Sequence, residues 1–307
     1  MMSSKLSSVR VLAIGLLFTA CTGGGAPAES GPKKTDSKPV AAGPAAPALP
    51  NAEQLLADSV QAMGGADKFA GFKNFYAEST MNMGALGLKG VARTWWRDGD
   101  FYNETEMSGV GQMKIGGLGG KAWADDPISG LRALTGKEAE QAMWSATLCL
   151  AHDWKRYFPR ADTTAVKEVD GKKLAEITFT SALGDKVVLR IDLESKLPVS
   201  QSFEQASPMG SMPATVYFKD YREIAGVKIP YQQDVDASLT KAVTTTTKLE
   251  FNTTVDESKF VMPGASQAVT PGALVDPAKV DPMKVEPAKV EPEKTKPTRG
   301  KQKPAAG

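Results

Sequence analysis

The chain has 307 residues, with 37 basic against 35 acidic side chains, two cysteines and one histidine. This near-neutral balance argues against nucleic acid as a partner, because binding to a phosphate backbone needs a strongly basic surface. Two cysteines are too few for a disulfide framework, and one histidine leaves little material for a histidine-based catalytic site or metal centre.

The first 20 residues have the pattern of an export signal. Lys5 and Arg10 give a basic start, and residues 11–18 form an apolar run that is too short to span a bilayer as a helix. The run ends in Phe-Thr-Ala-Cys, which resembles the lipobox of bacterial lipoproteins, with phenylalanine where that pattern prefers leucine. The resemblance implies that Cys21 becomes a lipid anchor; an ordinary signal with an incidental cysteine is the alternative. Cys149 then has no partner and is interpreted as a buried, small apolar residue.

Two segments lack the large apolar side chains that folding needs. Residues 21–50 are rich in Gly, Ala, Pro, Ser and Lys and are predicted to be a flexible tether after the lipidated cysteine. Residues 265–307 contain a five-residue unit, Val-Asp/Glu-Pro-x-Lys, and are predicted to be a disordered Pro/Lys-rich tail. Its basic end is either simply solvated or contacts cell wall or another anionic envelope polymer. Residues 51–264 are long enough for one domain with its own core.

That domain is predicted to begin with helices and to continue as a meander of antiparallel strands. Asn51 is a candidate N-cap for a helix that stops at Gly64, and a second short helical piece follows. Residues 186–194 alternate apolar and polar side chains, as a half-buried strand does, and hairpin signals such as Asp170-Gly171 separate the strands. Thr135 and Glu138 stand in capping-box register at the start of an inserted helix. The pattern predicts a mainly β (α+β) fold, a large curved antiparallel sheet with helices against its concave face.

The motifs of common enzymes and metal sites are missing. Glycines are dense between residues 109 and 120 but have no P-loop or dinucleotide-binding spacing. Asp125, Asp126, His152 and Asp153 match no ligand pattern with a physical basis, and a solvated face is the favoured interpretation. We therefore predict no catalytic residue, no metal and no cofactor.

Large and flexible apolar side chains occupy strand positions where Val and Ile are usual. A wall of methionine adapts to ligands of variable shape, so these residues are candidates for lining an apolar cavity; filling an ordinary core is the alternative. The candidates are Met81, Met83, Trp96, Phe101, Met107, Met113 and Trp123, together with Met143 on the inserted helix. The sequence leaves open which of Trp95 and Trp96 faces the cavity.

A glycine-bounded segment, GALGLKG, carries Leu86 and Leu88. These leucines are predicted either to be exposed apolar tips or to pack under the loop.

Four segments, MGGADKFAGFKNFYAES, GGKAWADDP, DYREIAGVKIPYQ and VDESKFVMP, occur in that order. Together they resemble the LolA/LolB/LppX superfamily of bacterial lipoprotein carriers, over about residues 50–264. The resemblance implies a half-closed antiparallel barrel with a helical lid around an apolar cavity that binds acyl chains. It also implies that GALGLKG is the exposed loop through which lipid-anchored members receive lipoproteins.

The expected function is therefore a non-enzymatic carrier that binds acyl chains of lipids or lipoproteins. Cys21 would hold it on the periplasmic face of the outer membrane, because Thr22 replaces the aspartate that retains lipoproteins in the inner membrane. The alternative is a structural envelope lipoprotein whose Pro/Lys tail contacts cell wall or a partner.

Overall fold

The computed structural model of the protein describes residues 48–207, 210–237 and 240–264. The predicted export signal, the Cys21 anchor, the tether up to residue 47 and the tail from residue 265 lie outside these ranges and stay predictions.

The described domain consists of one antiparallel sheet of thirteen strands and four α-helices. The helices are α1 (Ala52–Ala62), α2 (Ala66–Ala70), α3 (Gly136–Ser145) and α4 (Leu150–Tyr157). The strands are β1 (Asn74–Met83), β2 (Leu88–Arg97), β3 (Asp100–Met107), β4 (Gly111–Leu118), β5 (Lys121–Asp126), β6 (Gly130–Leu134), β7 (Arg160–Val169), β8 (Lys172–Thr180), β9 (Lys186–Asp192), β10 (Pro198–Ser207), β11 (Gly210–Ile224), β12 (Val227–Ala237) and β13 (Thr240–Phe251).

The strand order places β6 and β7 at the two edges and β1 beside β13 in the middle. Strands that follow each other in the chain are neighbours, except at β6 and β7, which do not pair with each other. The connection between these two edge strands carries α3 and α4, which lie against the inner face of the sheet. The predicted mainly β half-barrel with a helical lid is confirmed.

The hairpin signals in the sequence coincide with tight turns. Asp170 and Gly171 have φ angles of 50° and 76°, and Ala225 and Gly226 have φ angles of 49° and 77°. Two successive positive φ angles are the signature of a type I′ turn, whose twist matches that of the flanking strands. Local chemistry therefore fixes the register of β7 with β8 and of β11 with β12.

The main core lies between α1, α4 and strands β8 and β9. Val187, Leu189 and Ile191 of β9 are at most 2% exposed, as the alternation in the sequence predicts. The rings of Phe158, just after α4, and Phe179 on β8 stack with centroids 5.2 Å apart. These contacts fix α4 to one half of the sheet.

One end of the half-barrel is closed by α1 and α2. The predicted N-cap forms, since Asn51 Oδ1 accepts a hydrogen bond of 2.9 Å from the Gln54 N–H. Beyond α1, the Lys228 N–H donates to the Met63 carbonyl at 2.7 Å, and Lys68 Nζ donates to the Gly226 carbonyl at 3.0 Å. The helical end is thereby bound to the turn between β11 and β12.

The inserted segment differs from the predicted single helix. It forms two helices, α3 and α4, with a break at residues 146–149. The expected capping box is also absent: Thr135 is the N-cap residue without a side-chain hydrogen bond, and Glu138 instead accepts two hydrogen bonds of 2.9 Å from Arg132. In a capping box, the Glu138 carboxylate would accept a hydrogen bond from the backbone N–H of Thr135. Here the same carboxylate accepts two hydrogen bonds from the Arg132 guanidinium of β6, and such a charged bidentate pair is the stronger interaction.

Residues 257–260, which follow the last strand, cover the outer face of β3 and β4. Trp123 Nε1 donates to the Phe260 carbonyl at 3.1 Å, and the Phe260 side chain is completely buried. Lys259 Nζ lies 4.4 Å from the ring centroid of Trp95. Trp96 instead packs on the inner side, where the centroids of its ring and of the Phe75 ring are 5.6 Å apart. The inward-facing tryptophan is therefore Trp96.

Gly117 on β4 has no side chain, and this leaves space for the Phe101 ring and for Met143 on the inner face of the sheet. A methyl group added at Gly117 would lie 2.8 Å from Met143 Sδ and would clash with the Phe101 ring. We expect Gly117→Ala to lower the free energy of unfolding by about 1–3 kcal/mol, measured by urea denaturation, because overpacking strains a dense core. Gly84→Ala is the matched control, since nothing lies within 4 Å of a methyl group there. Equal stability of the two variants would contradict this packing.

Candidate ligand-binding cavity

A cavity of about 300 Å³ lies between the α3–α4 connection and the inner face of the sheet. This volume is at the lower end of the roughly 300–1,000 Å³ that small-molecule pockets occupy. Strands β9 to β13 and Met81 of β1 form one wall. The end of α3, the connection and the start of α4 form the other.

The helical wall exists because the inserted segment breaks. Thr147 donates its hydroxyl hydrogen to the Asp153 carboxylate, and Cys149 adopts an extended backbone as the N-cap residue of α4. The break lets residues on both sides of it line the cavity, among them Trp144, Leu148, Cys149, Leu150 and Ala151.

The sheet wall consists of two rows of cross-strand neighbours. In one row, Val216 of β11 lies opposite Val235 of β12, and Val235 lies opposite Ala242 of β13. In the other, Phe218 lies opposite Gln233, Gln233 opposite Thr244, and Thr244 opposite Met81. Side chains directly opposite each other on one face are in contact range, so the rows form a continuous strip.

The cavity carries no formal charge near neutral pH. Among the described residues that line it there is no Lys, Arg, His, Asp or Glu. Burial raises the pKa of the Cys149 thiol to about 12 and raises the pKa of the Tyr221 phenol well above its usual value. Tyr221 donates its hydroxyl hydrogen to the Pro198 carbonyl at 2.8 Å. Both ionisable groups therefore stay neutral.

Of the eight residues predicted to line a cavity, Met81 does so. Met83, Met107 and Met113 instead pack together with Ala242 in what we call the methionine cluster, with Met81 at its edge. Met83 and Met107 are at most 2% exposed. The cluster adjoins the cavity, because Met81 and Ala242 belong to both.

The structure places the other four predicted residues farther from the cavity. Phe101 and Met143 pack with Ala122 and Ala142 under α3, and Trp96 touches the same group. Trp123 lies on the outer face beneath Phe260. Side chains of the first strands thus fill the space under α3, and the open space lies against the last strands.

Sequence reasoning missed the cavity residues of β11 to β13. Val216 and Phe218 alternate with outward residues in an ordinary strand pattern, which does not distinguish a cavity wall from a packed core. Leu148 lies in the break of the predicted helix, where periodicity gave no indication of an inward turn.

The loop leucines have different environments. Leu86, in a 3-10 turn at Gly84–Leu86, is 48% exposed. Leu88 is half-buried against the methionine cluster. The hairpin tip therefore presents one exposed leucine.

The single histidine does not form a catalytic arrangement with the cavity wall. His152 Nδ1 lies 2.6 Å from one oxygen of Asp153, whose other oxygen accepts from the Thr147 hydroxyl. The Asp153 carboxylate lies between the Thr147 hydroxyl and the His152 imidazole. Activation of a hydroxyl nucleophile would need the imidazole itself in contact with the hydroxyl. Within residues 48–207, 210–237 and 240–264, no group of three or more His, Cys, Asp or Glu is arranged to hold a metal ion. None of the helices in these ranges is long and apolar enough to cross a bilayer.

Comparison with known proteins gives a likeness in structure. The chain matches no protein-family model and no curated protein. It is similar to the structure of a LolA superfamily protein from Nitrosomonas europaea, with 13% identity over 69% of this chain and 98% of that chain and a TM-score of 0.49. A DUF1329 family protein from Desulfovibrio piger gives 15% identity, coverage of 69% and 98%, and a TM-score of 0.48.

The lipoprotein LppX of Mycobacterium tuberculosis gives 10% identity over 66% of this chain and 99% of that chain, with a TM-score of 0.28. The identities are at most 15% and the TM-scores are below 0.5, so these likenesses carry no inference about the family or the function of this chain.

The buried thiol gives a test of the cavity geometry. In a Cys21→Ala variant, Cys149 is the only thiol. With its pKa raised to about 12 by burial, we expect iodoacetamide at pH 8 to modify it about a thousandfold more slowly than an exposed cysteine. Mass spectrometry measures the rate, and the same protein in urea is the control. A native rate close to the unfolded rate would contradict the burial of Cys149.

Proposed function

We propose that the protein is a non-enzymatic, lipid-anchored carrier that binds an acyl chain of a lipid or lipoprotein at the periplasmic face of the outer membrane. The observation that carries the proposal is the uncharged, mainly apolar cavity of about 300 Å³ between the α3–α4 connection and the sheet. Protein interiors are normally packed as densely as organic crystals, so a space of this size in a core is a feature that needs an occupant.

Burial alone supplies the binding free energy in this proposal. Each methylene removed from water contributes about 0.8 kcal/mol, so ten of them contribute roughly 8 kcal/mol before the cost of association. The lining offers Val216, Phe218 and Leu148 as contacts for such a chain. Methionines at the adjoining cluster can change rotamer at low cost, which suits chains of different length.

The α3–α4 connection is the natural entrance. Ser145 is exposed, while Thr147 and Leu148 are half-buried, although all three line the cavity. The connection is not a strand of the sheet, so it can move without breaking ladder hydrogen bonds. Its fixed points are α3, which packs against β4, β5 and β10, and α4, whose Trp154 ring centroid lies 6.0 Å from that of Phe179 on β8.

The proposed anchor and tether bring this domain to a membrane. A flexible chain of the length of residues 22–50 has a root-mean-square span of about 30 Å. Two or more acyl chains on Cys21 would hold the protein stably, since one chain alone gives only marginal membrane binding.

A charge placed in the cavity should abolish binding. We expect Val216→Glu to weaken the uptake of a fluorescent acyl probe at least tenfold, because a carboxylate would have to be desolvated beside the chain. The matched control is Val243→Glu on β13, where the valine is 38% exposed and lies between two cavity residues in sequence. Probe titration and urea unfolding of both variants separate binding from stability.

Val216→Trp provides an uncharged block of the same cavity. If both Val216 variants fold and bind the probe as the native protein does, the carrier function is wrong.

The anchor is tested in the producing cell. Cys21→Ala should move the protein from the membrane fraction to the periplasmic fraction and remove the lipid mass from its N-terminal peptide. Detection of the unsubstituted protein in the soluble fraction, with an unmodified Cys21, would contradict the anchor.

A further inference from the structure

Three polar side chains interrupt the apolar sheet wall of the cavity: Gln201 on β10, Gln233 on β12 and Thr244 on β13. Gln233 and Thr244 are direct cross-strand partners. Gln201 lies opposite Val216, in the neighbouring row. The polar groups thus lie within the same strip that would contact an acyl chain.

The hydrogen-bonding capacity of these side chains is unused in the described part of the chain. No hydrogen bond to another described residue involves the carboxamide of Gln201 or Gln233, or the hydroxyl of Thr244. Gln141 on α3 shows the contrast, since its carboxamide donates to the Glu204 carbonyl at 2.9 Å and accepts from the Ala206 N–H at 2.8 Å. Gln141 is thus satisfied within the protein, whereas the carboxamides of the cavity glutamines are available to a ligand.

An acyl chain entering the cavity would displace the water that these groups contact. A buried carboxamide without a partner destabilises the complex, so a ligand that supplies hydrogen-bonding groups is favoured over a plain hydrocarbon. An ester or amide group at the head of an acyl chain offers a carbonyl acceptor for carboxamide N–H groups. An amide or a glycerol hydroxyl also offers a donor for the carboxamide oxygen.

An ionised head group has no counter-charge in the cavity. Two cations on the cavity strands are held in ion pairs: Lys219 pairs with Asp234 at 2.5 Å, and Lys241 pairs with Asp236 at 3.0 Å. Neither lysine lines the cavity. Desolvating a carboxylate or phosphate there would be costly, because buried charges need a partner.

We infer that the cavity selects acyl chains whose head group is neutral, an ester or amide, and that Gln201, Gln233 and Thr244 hydrogen-bond that group. The inference rests on the proposed function and specifies its ligand: neutral acyl esters or amides are bound in preference to free fatty acids and to lipids whose phosphate would enter the cavity.

The test uses the full-length Cys21→Ala protein and an uncharged fluorescent naphthylamine dye that reports on the apolar cavity. Three ligands with the same chain displace the dye at about pH 8: monopalmitoylglycerol, palmitate and palmitoyl-lysophosphatidylglycerol. We expect monopalmitoylglycerol to bind at least tenfold more tightly than either anion. In the double variant Gln201→Leu, Gln233→Leu, we expect this preference to fall below threefold while the dye binds at least as tightly as to the native protein, because no carboxamide is then left unpaired beside it.

Gln232→Leu is the matched control, because Gln232 uses its carboxamide to donate to Asp234 at 2.7 Å and does not line the cavity. It should leave the preference unchanged. Equal or tighter binding of palmitate by the native protein would overturn the inference and leave the acyl-carrier function standing. Failure of the dye and of all three ligands to bind would overturn both.

Discussion

The pairing of β1 with β13 joins the first strand of the domain to the last, from Phe75 opposite Phe251 to Asn82 opposite Val243. Every other strand pair is a hairpin between sequence neighbours, so this one contact decides which strands become edges. With β1 and β13 in the middle, β6 and β7 stand at opposite edges, and the chain between them crosses from one edge to the other over the inner face. The helical wall of the cavity follows from that crossing.

The two halves of the inner face are filled differently. On the β1–β6 side, Phe101, Met143 and the methionine cluster occupy the space, and Gly117 admits the bulky neighbours by having no side chain. On the β9–β13 side, α3 and α4 have ten and eight residues and are separated by a break. Two short helices joined in this way leave a gap above Val216 and Phe218, and this gap is the cavity.

The distribution of charge separates the two faces of the sheet. On the outer face, Arg190 links Glu176 with Ser202 across neighbouring strands, and Lys167 adds a second ion pair to Glu176. On the inner face, the cavity lining has amides, hydroxyls and apolar groups and no formal charge. A site of this kind is suited to holding a neutral, mainly apolar molecule, and burial together with a few neutral hydrogen bonds is sufficient for that task.

The sequence by itself determined the local elements, because their causes are local. The Asn51 cap, the Asp170-Gly171 turn and the alternation of Val187, Leu189 and Ile191 all predict what the structure contains. The same reasoning took the methionines of the first strands as the cavity lining, whereas only Met81 among them lines it and Met83, Met107 and Met113 pack in the adjoining cluster. Only the tertiary structure decided that Val216, Phe218 and Gln233 line the open space. A strand residue that faces inward has the same sequence pattern whether a helix or an open space lies above it. The position of α3 and α4 depends on strand pairing between residues that are far apart in the chain.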